Sequence, residues 1–301
     1  MKKILALSCL LAGCAAAQTQ GPAPAVSAGR IERLHDFGSL YVSPRNVDVW
    51  LPPGYDGKGR CQVLYMHDGQ MLFDASTTWN KKAWGMADTV AALIRDGKMP
   101  ATIIVGIWSN GLQRHSEYFP EKALQFISEP LRTQFVTKAL NGKPQADNYL
   151  RFLVQELKPE IDRRYATRPD REHTIIMGSS MGGIISLYAI CEYPDVFGAA
   201  GCLSTHWLGS FEKNATIPLA TFAYLKDHLP DPKSHRIYCD HGTAPPLDSL
   251  YAESQAFADI LFREKGYTDE NYQSRVFPGA EHTEDAWGQR VAIPLLFLSR
   301  R

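Results

Sequence analysis

Short hydrophobic runs, each closed by glycine or polar residues, recur along most of the chain. The first run alternates apolar and polar side chains and stops at a Pro-Pro-Gly turn, as a half-buried strand does. The later runs are continuously apolar, which is typical of strands buried on both faces of a sheet. The predicted strands fall at residues 47–51, 63–66, 102–107, 174–177, 197–203, 237–239 and 274–277.

Hydrophobic positions with helical spacing fill the stretches between these runs. They predict helices near residues 86–94, 149–161, 184–188, 250–262 and 291–298. Pro159 should bend or split the second helix, because proline cannot donate the hydrogen bond of a helix interior. Alternating strands and helices predict an α/β fold with a mainly parallel central sheet and helices on both faces. The loops after the parallel strands then share one edge, which the longer segments 117–147 and 206–234 are placed to cap.

The composition is that of an ordinary globular protein. The chain has 301 residues, of which 45% are hydrophobic, and its 32 Lys+Arg balance its 32 Asp+Glu. A net charge of zero provides no basic surface field, so no nucleic-acid partner is predicted. The chain has no apolar run of about eighteen residues, so no membrane-spanning helix is predicted. We expect one domain over residues 30–301.

The first residues have the pattern of an export signal. Lys2 and Lys3 precede the apolar stretch 4–13, which is too short to span a membrane. Residues 11–14 resemble a bacterial lipobox, which predicts a signal peptide over residues 1–17 and a lipidated Cys14. The alternative is ordinary cleavage after residues 15–17. Residues 18–29, rich in Pro, Ala, Ser and Gly, are predicted to be a flexible tether. The protein is thus expected in the periplasm or anchored to the outer membrane, with a lipid as its membrane contact.

The other cysteines beyond residue 29 lie in apolar contexts without the spacing of a disulfide framework. We expect Cys61, Cys191, Cys202 and Cys239 to be mostly buried free thiols, with one disulfide as the alternative. The sequence has no H-x-x-x-H or C-x-x-C pattern, and its Asp and His residues lack ligand spacing. Neither a metal nor another cofactor is predicted.

Gly178–Gly182 has the pattern G-x-S-x-G between a predicted strand and a predicted helix. In that context the serine occupies a strained strand-to-helix turn, and the flanking glycines keep side chains away from it. Ser180 is therefore the candidate nucleophile, and Ser179 should point away. The alternative is a glycine-rich turn that only packs a helix on the sheet.

A nucleophilic serine needs a base and an acid. His282 follows the last predicted strand, which is where α/β-hydrolases place their base. His206 and His241 also lie on loops at this edge and are alternatives that line the pocket. Two carboxylates compete for the acid: Asp240 closes its strand and can brace the loop, whereas Asp248 lies farther along and can also cap a helix.

Acyl transfer also requires donors for the developing oxyanion. The backbone N–H of Met181 follows the nucleophile, and the N–H of Gln70 follows Gly69 on the loop after the second predicted strand. These two groups are the predicted oxyanion hole.

Several of these segments together carry a family resemblance. Residues 63–74 resemble the signature of the family of α/β-hydrolases called Putative esterase. This family includes feruloyl and acetylxylan esterases, enterochelin-type esterases, S-formylglutathione hydrolases and mycolyltransferases. Four further segments are similar to other motifs of this family. They are residues 51–55, the R-x-x-E-Y segment with Arg114, Glu117 and Tyr118, residues 178–183, and His282 with Trp287.

The resemblance implies an α/β-hydrolase fold with Ser180, His282 and an acid as a triad, and with Gln70 and Met181 as the oxyanion hole. Residues 242–250 resemble the Gly-Thr-x-Asp-Ser-Leu context of the acid in feruloyl esterases, although they are longer by three residues. This resemblance favours Asp248.

Tryptophans follow several of the predicted strand ends. Trp108, Trp207 and Trp287 are predicted to line a substrate pocket, although large aromatics at such places also pack loops onto a sheet. We therefore expect a secreted serine esterase acting on a carbohydrate-linked or aromatic (feruloyl or acetyl) ester. The alternatives are an acyltransferase or siderophore esterase of the same fold and, in another class, a non-catalytic surface-anchored binding module.

Overall fold

An eight-stranded sheet runs through the computed structural model, which describes residues 23–299. The strands are β1 (Arg30–Phe37), β2 (Arg45–Leu51), β3 (Gln62–His67), β4 (Thr102–Ile107), β5 (Thr174–Ser179), β6 (Ala199–Leu203), β7 (Arg236–Gly242) and β8 (Tyr272–Phe277). Their order across the sheet is β1-β2-β4-β3-β5-β6-β7-β8. Strand β2 is antiparallel to β1 and β4, and β3 to β8 are parallel. The predicted mainly parallel sheet is confirmed.

Helices connect the parallel strands, as the hydrophobic spacing predicts. They are α1 (Met86–Arg95), α2 (Arg114–Tyr118), α3 (Leu131–Ala139), α4 (Ala146–Arg151), α5 (Lys158–Arg164), α6 (Met181–Glu192), α7 (Thr216–His228), α8 (Ala252–Glu264), α9 (Glu284–Arg290) and α10 (Ala292–Leu298). Short 3₁₀ turns at Gly69–Met71 and Asp248–Leu250 lie at the edge that holds the candidate site.

Each face of the sheet has its own hydrophobic core, because successive side chains of a strand point to opposite faces. On β3, Val63 and Tyr65 join the core beneath α2 and α4 to α8, whereas Leu64 and Met66 join the core beneath α1, α9 and α10. The continuous apolar runs of the sequence therefore reflect strands that are covered on both sides.

Pro159 does not break its helix. Helix α4 continues through a π-helical turn, Phe152–Leu157, into α5, where Pro159 lies in the first turn. A π-helical turn interrupts the regular hydrogen-bond ladder of the helix, so a residue without an N–H is accommodated directly after it. The predicted bend or split takes the form of a locally wider turn.

The N-terminal part of the described chain differs from the expected tether. The Ala25 N–H donates to Asp74 over 3.0 Å, and the Trp50 indole donates to the Ala28 carbonyl over 2.8 Å. Residues 23–29 thus lie against the domain, since small residues leave their backbone groups open to such bonds. Residues 18–22, the predicted signal segment and Cys14 lie outside the described residues.

The thiols are as predicted. Cys61, Cys191, Cys202 and Cys239 are buried and free. No helix within residues 23–299 is long and apolar enough to cross a membrane, and no metal-binding group of His, Cys, Asp and Glu occurs in that range.

Candidate active site

The G-x-S-x-G segment forms a sharp turn at the centre of the sheet. Strand β5 ends at Ser179 and α6 begins at Met181, so Ser180 lies between them with φ 58° and ψ −121°. Such a conformation is strained for a residue with a side chain and is typical of functional turns. A Cβ on Gly178 would lie 2.9 Å from backbone atoms of Gly182, which explains why this position needs glycine.

The two predicted oxyanion donors lie in the first turns of helical segments. Met181 is the first residue of α6, and Gln70 lies in the turn Gly69–Met71 at the end of β3. N–H groups in a first helical turn have no intrahelical acceptor and remain open to a ligand. The side-chain amide of Gln70 bonds the loop after β4. Its Nε2 donates to Ser109 Oγ over 2.6 Å, and its Oε1 accepts from the Ser109 backbone N–H over 3.1 Å.

A partly buried ion pair holds the same loop. Arg114 donates to both oxygens of Asp68, over 2.6 and 2.7 Å, and its guanidinium lies 5.1 Å from the Tyr118 ring centroid. Burial alone raises the pKa of Asp68, but Arg114 outweighs it and holds this pKa below its usual range. Glu117 forms a second buried pair with Arg45 over 2.7 Å. The R-x-x-E-Y segment thus orders the β3 and β4 loops.

The structure brings His282 and Asp248 together. His282 Nδ1 and Asp248 Oδ1 are 2.6 Å apart, and the Asp248 carboxylate is fully buried. The other oxygen, Oδ2, accepts from Ser204 Oγ over 2.8 Å and from the Gly242 N–H over 2.7 Å. Burial raises the pKa of Asp248, but the bond and charge of His282 and the two other donors lower it overall. Asp248 is therefore an ionised group that can orient the imidazole.

Aromatic side chains surround the imidazole and the serine. The rings of Trp287 and His282 meet edge to face with centroids 4.9 Å apart, and Trp287 stacks on Trp84. No hydrogen bond joins Ser180 Oγ to His282 within residues 23–299, and the Ser180 hydroxyl instead interacts with Tyr251. Bonds of this kind often tighten only when substrate is bound.

Asp240 faces a different set of partners. It accepts from Arg290 over 2.9 and 3.1 Å and from the Tyr238 hydroxyl over 3.1 Å. Burial raises the pKa of Asp240, and Arg290 offsets this only in part. Asp240 also accepts from the Ser204 backbone N–H over 3.3 Å, which is a bracing contact, whereas the Gly242 N–H donates to Asp248.

The two alternative histidines are buried. His206 Nδ1 lies 2.9 Å from the Tyr251 hydroxyl, and the His206 N–H donates to the Ser180 carbonyl over 3.1 Å. His241 Nδ1 bonds the neighbouring Gly242 carbonyl over 2.6 Å. His206 is thus adjacent to the candidate nucleophile, and neither histidine contacts Asp248.

The predicted tryptophan pocket does not form as expected. The Trp108 indole donates to Asp48 over 2.8 Å beneath Arg33, on the β2 side of the sheet. Trp207 is buried in the core against Phe222. The Trp287 indole donates to Ser204 Oγ over 2.9 Å, and its ring packs against the His282 ring. These rings pack loops onto the sheet, which is the alternative to lining a substrate pocket that the sequence left open.

Sequence reasoning missed three residues of the site. Ser204 bonds both Asp248 and Trp287, Tyr251 faces Ser180, and Arg290 pairs with Asp240. Ser204 and Tyr251 both lie close to loop positions that the sequence did single out, but a lone serine or tyrosine carries no spacing signal. Arg290 looks like a surface residue of a helix until its buried partner is known.

A cleft of about 1210 Å³ lies at the opposite, amino edge of the strands and includes Arg168, Lys233 and Arg236. It contains none of the predicted site residues. The chemistry of the residues, and not the volume of a cavity, locates the candidate active site.

Comparisons with known proteins find one matching family and several relatives. The profile of the family described as Putative esterase matches residues 41–297. Among curated proteins, the chain is 23% identical to the uncharacterised protein YbbA of Bacillus subtilis, over 79% of this chain and 86% of that protein. It is 24% identical to an endo-1,4-beta-xylanase/feruloyl esterase of Xylanibacter ruminicola, over 81% of this chain but only 29% of that protein.

Solved structures share the fold. The enterobactin esterase FES of Shigella flexneri superposes with a TM-score of 0.65 at 16% identity, covering 91% of this chain and 60% of that one. A ferulic acid esterase superposes with the same TM-score at 20% identity, covering 91% and 99%. The chain therefore has the fold of these esterases and spans about three fifths of the FES chain.

Proposed function

The chain belongs to the Putative esterase family and is a carboxylic ester hydrolase, and we propose that it acts through an acyl-enzyme on Ser180. The observation that carries this proposal is the 2.6 Å contact between His282 Nδ1 and the buried Asp248 carboxylate, on loops at the same edge of the sheet as the strained Ser180 turn. A carboxylate in that place fixes the imidazole tautomer and stabilises the imidazolium that forms.

The reaction then follows from these positions. Ser180 Oγ attacks the ester carbonyl carbon while His282 Nε2 takes its proton. The oxyanion is stabilised by the N–H groups of Met181 and Gln70, which are fixed before substrate arrives. His282 returns the proton to the departing alcohol, and a water molecule repeats the sequence on the acyl-enzyme.

We propose an aromatic or carbohydrate-linked ester as substrate. The segments after β4 and β6 each carry an aromatic pair: the rings of His206 and Phe211 are 5.8 Å apart, and those of His115 and Phe135 are 6.1 Å apart. His206 is bonded to the Ser180 carbonyl, which places the first pair next to the candidate nucleophile. Phe211 is 73% exposed, so its ring is open to a ligand. One curated relative is named a feruloyl esterase, which supports the same class.

A siderophore ester is the second candidate, because the names of FES and of the ferri-bacillibactin esterase BesA of Bacillus subtilis point to it. The test is a panel of feruloyl, acetyl-sugar, catecholate-lactone and p-nitrophenyl acetate esters with the purified protein. We expect fastest turnover on a feruloyl or acetyl-sugar ester. Preference for the catecholate lactone would favour a siderophore ester as the substrate. Acylated products formed from added alcohols would indicate a transferase. Absence of turnover on every ester would leave a binding module.

We also propose export with a lipid anchor on Cys14, supported by the lipobox-like residues 11–14. Acyl chains contribute about 0.8 kcal/mol per buried CH₂, so the anchored protein should partition into detergent. Cys14→Ser should abolish this partitioning. A mature N-terminus at Gln18, read by mass spectrometry, would contradict the anchor.

A further inference from the structure

Tyr251 occupies a position between three groups of the candidate site. It directly follows the turn Asp248–Leu250 and is fully buried. Its hydroxyl lies 2.9 Å from His206 Nδ1, and its ring meets the His282 ring edge to face with centroids 5.8 Å apart. The same hydroxyl interacts with the side chain of Ser180. A buried phenol thus lies beside His206 and His282 and interacts with the candidate nucleophile.

The sheet order separates Tyr251 from the oxyanion donors. Gln70 follows β3, on one side of the central strand β5, whereas His206 follows β6 and Tyr251 follows β7, on the other side. Tyr251 therefore does not face the carbonyl oxygen that Gln70 and Met181 stabilise. It lies on the side of β5 that also holds the loops of His206 and His282.

The direction of the hydrogen bonds follows from His206. Burial, and then the charges of His115, His282 and Arg114, lower the pKa of His206 to about 3, so its imidazole is neutral at ordinary pH. Its Nε2 is buried and has no hydrogen-bond partner among the described residues. An unpaired buried lone pair is tolerated more often than an unpaired buried N–H, which assigns the proton to Nδ1.

That assignment leaves Tyr251 as a donor. His206 Nδ1–H donates to the phenol oxygen, so the phenol O–H is free to donate elsewhere. Burial raises the pKa of Tyr251, so the phenol keeps its proton. The Ser180 hydroxyl, with which the Tyr251 hydroxyl interacts, is the nearby acceptor for this O–H.

Resting on the proposed function, we propose that Tyr251 is a further catalytic residue and that His206 positions it. The Tyr251 hydroxyl donates a hydrogen bond to Ser180 Oγ while negative charge develops there, both when Oγ attacks the ester and when it departs from the acyl-enzyme. His282 accepts and returns the serine proton. The Tyr251 O–H bond stays intact throughout, so no further proton acceptor is needed.

The test compares Tyr251→Phe with a matched control, Tyr267→Phe. Tyr267 is also a buried phenol with a hydrogen bond, to the Pro230 carbonyl over 3.1 Å, at the amino edge of the sheet. A bond to a developing charge predicts a loss of about 10- to 100-fold in kcat on p-nitrophenyl acetate for Tyr251→Phe, with KM within about twofold. Fluorophosphonate labelling of Ser180 should slow by a similar factor, and Tyr267→Phe should react like the wild type.

His206→Phe provides an independent variant that keeps an aromatic ring and leaves Tyr251 in place. It should also lower kcat, and the double variant should lose no more than Tyr251→Phe alone, because the two residues act in series. If Tyr251→Phe does not fold, the decision rests on His206→Phe.

Turnover and labelling within about twofold of wild type in the variants, or a loss confined to KM or melting temperature, would overturn the inference. If wild type and Tyr267→Phe neither turn over esters nor react with the fluorophosphonate, the proposed function itself fails and the inference fails with it.

Discussion

Asp240 and Asp248 show how neighbouring carboxylates on one loop take different roles. Asp248 holds an imidazole and two neutral donors, whereas Asp240 faces the permanent charge of Arg290. Both carboxylates are buried, but only Asp248 lies beside a group that must change its protonation state during acyl transfer. The partner, and not the burial, distinguishes a catalytic acid from a structural one.

This difference predicts opposite effects of two amide substitutions. Asp248→Asn should lower kcat by about 10⁴-fold, because the imidazole loses its tautomer control and its counter-charge. Its melting temperature should change little, since the amide keeps the shape of the carboxylate. Steady-state kinetics and a thermal melt measure both effects.

Asp240→Asn should instead unfold more easily. Removing one partner of a buried ion pair costs about 3 to 5 kcal/mol, because Arg290 is left buried and uncompensated. Folded Asp240→Asn should retain most of the wild-type kcat. An inactive but fully stable Asp240→Asn, together with an active Asp248→Asn, would reverse the two assignments.

At the residue scale, the sequence predicted the backbone position of a residue where a motif carries the signal. The Ser180 turn and the donors at Met181 and Gln70 lie where their motifs place them. It failed for side chains whose role depends on distant partners. The Trp108 indole is held by Asp48, 60 positions earlier, and no local pattern reports such a contact.

The strand–turn–helix unit from β5 to α6 is the element that presents the nucleophile. The sequence predicts this unit because its close packing leaves a motif: only glycine fits at Gly178, and Ser180 takes a positive φ. The sequence did not predict strand β1, because its side chains are exposed or half-buried at the sheet edge and form no apolar run. The described part of the tether was missed because its backbone bonds leave no trace in composition.

The close packing of this unit predicts that Gly178→Ala is damaging. The new Cβ would lie 2.9 Å from the Gly182 backbone, so the turn must shift. We expect a loss of about 1 to 3 kcal/mol in the free energy of unfolding and a fall in kcat, since the shift displaces Ser180. Urea unfolding and ester turnover measure these losses.

Gly59→Ala is the matched control, because a Cβ at Gly59 meets no atom within 4 Å. It should match the wild type in both measurements. Equal effects of the two substitutions would show that the Gly178 turn is not closely constrained.

Across the whole molecule, buried neutral histidines set the response to acid. Burial first, with nearby positive charge, lowers the pKa of His67 and His206 to about 3 and that of His115 to about 4. In the unfolded chain these groups take up protons near pH 6.5. Below that pH the unfolded state binds more protons, so stability is greatest above pH 6.5 and falls as the pH approaches 4.

His115→Phe should reduce this acid sensitivity while keeping a ring beside Phe119 and Phe135. Between pH 6 and 5, one such histidine contributes about 1 kcal/mol per pH unit to the slope of unfolding free energy. Urea unfolding at several pH values gives the slope. The exposed residue His35 is the control, and an unchanged slope in His115→Phe, equal to that of His35→Gln, would refute the account.

The central claim is that Ser180 carries the acyl group, and covalent labelling tests it most directly. The purified protein is treated with a fluorophosphonate, digested, and the modified peptide is located by tandem mass spectrometry, with Ser180→Ala treated in parallel. The account predicts one modified serine, Ser180, together with loss of ester turnover, and neither label nor turnover in folded Ser180→Ala. A label on Ser179 or any other serine, or ester turnover retained by Ser180→Ala, would contradict it.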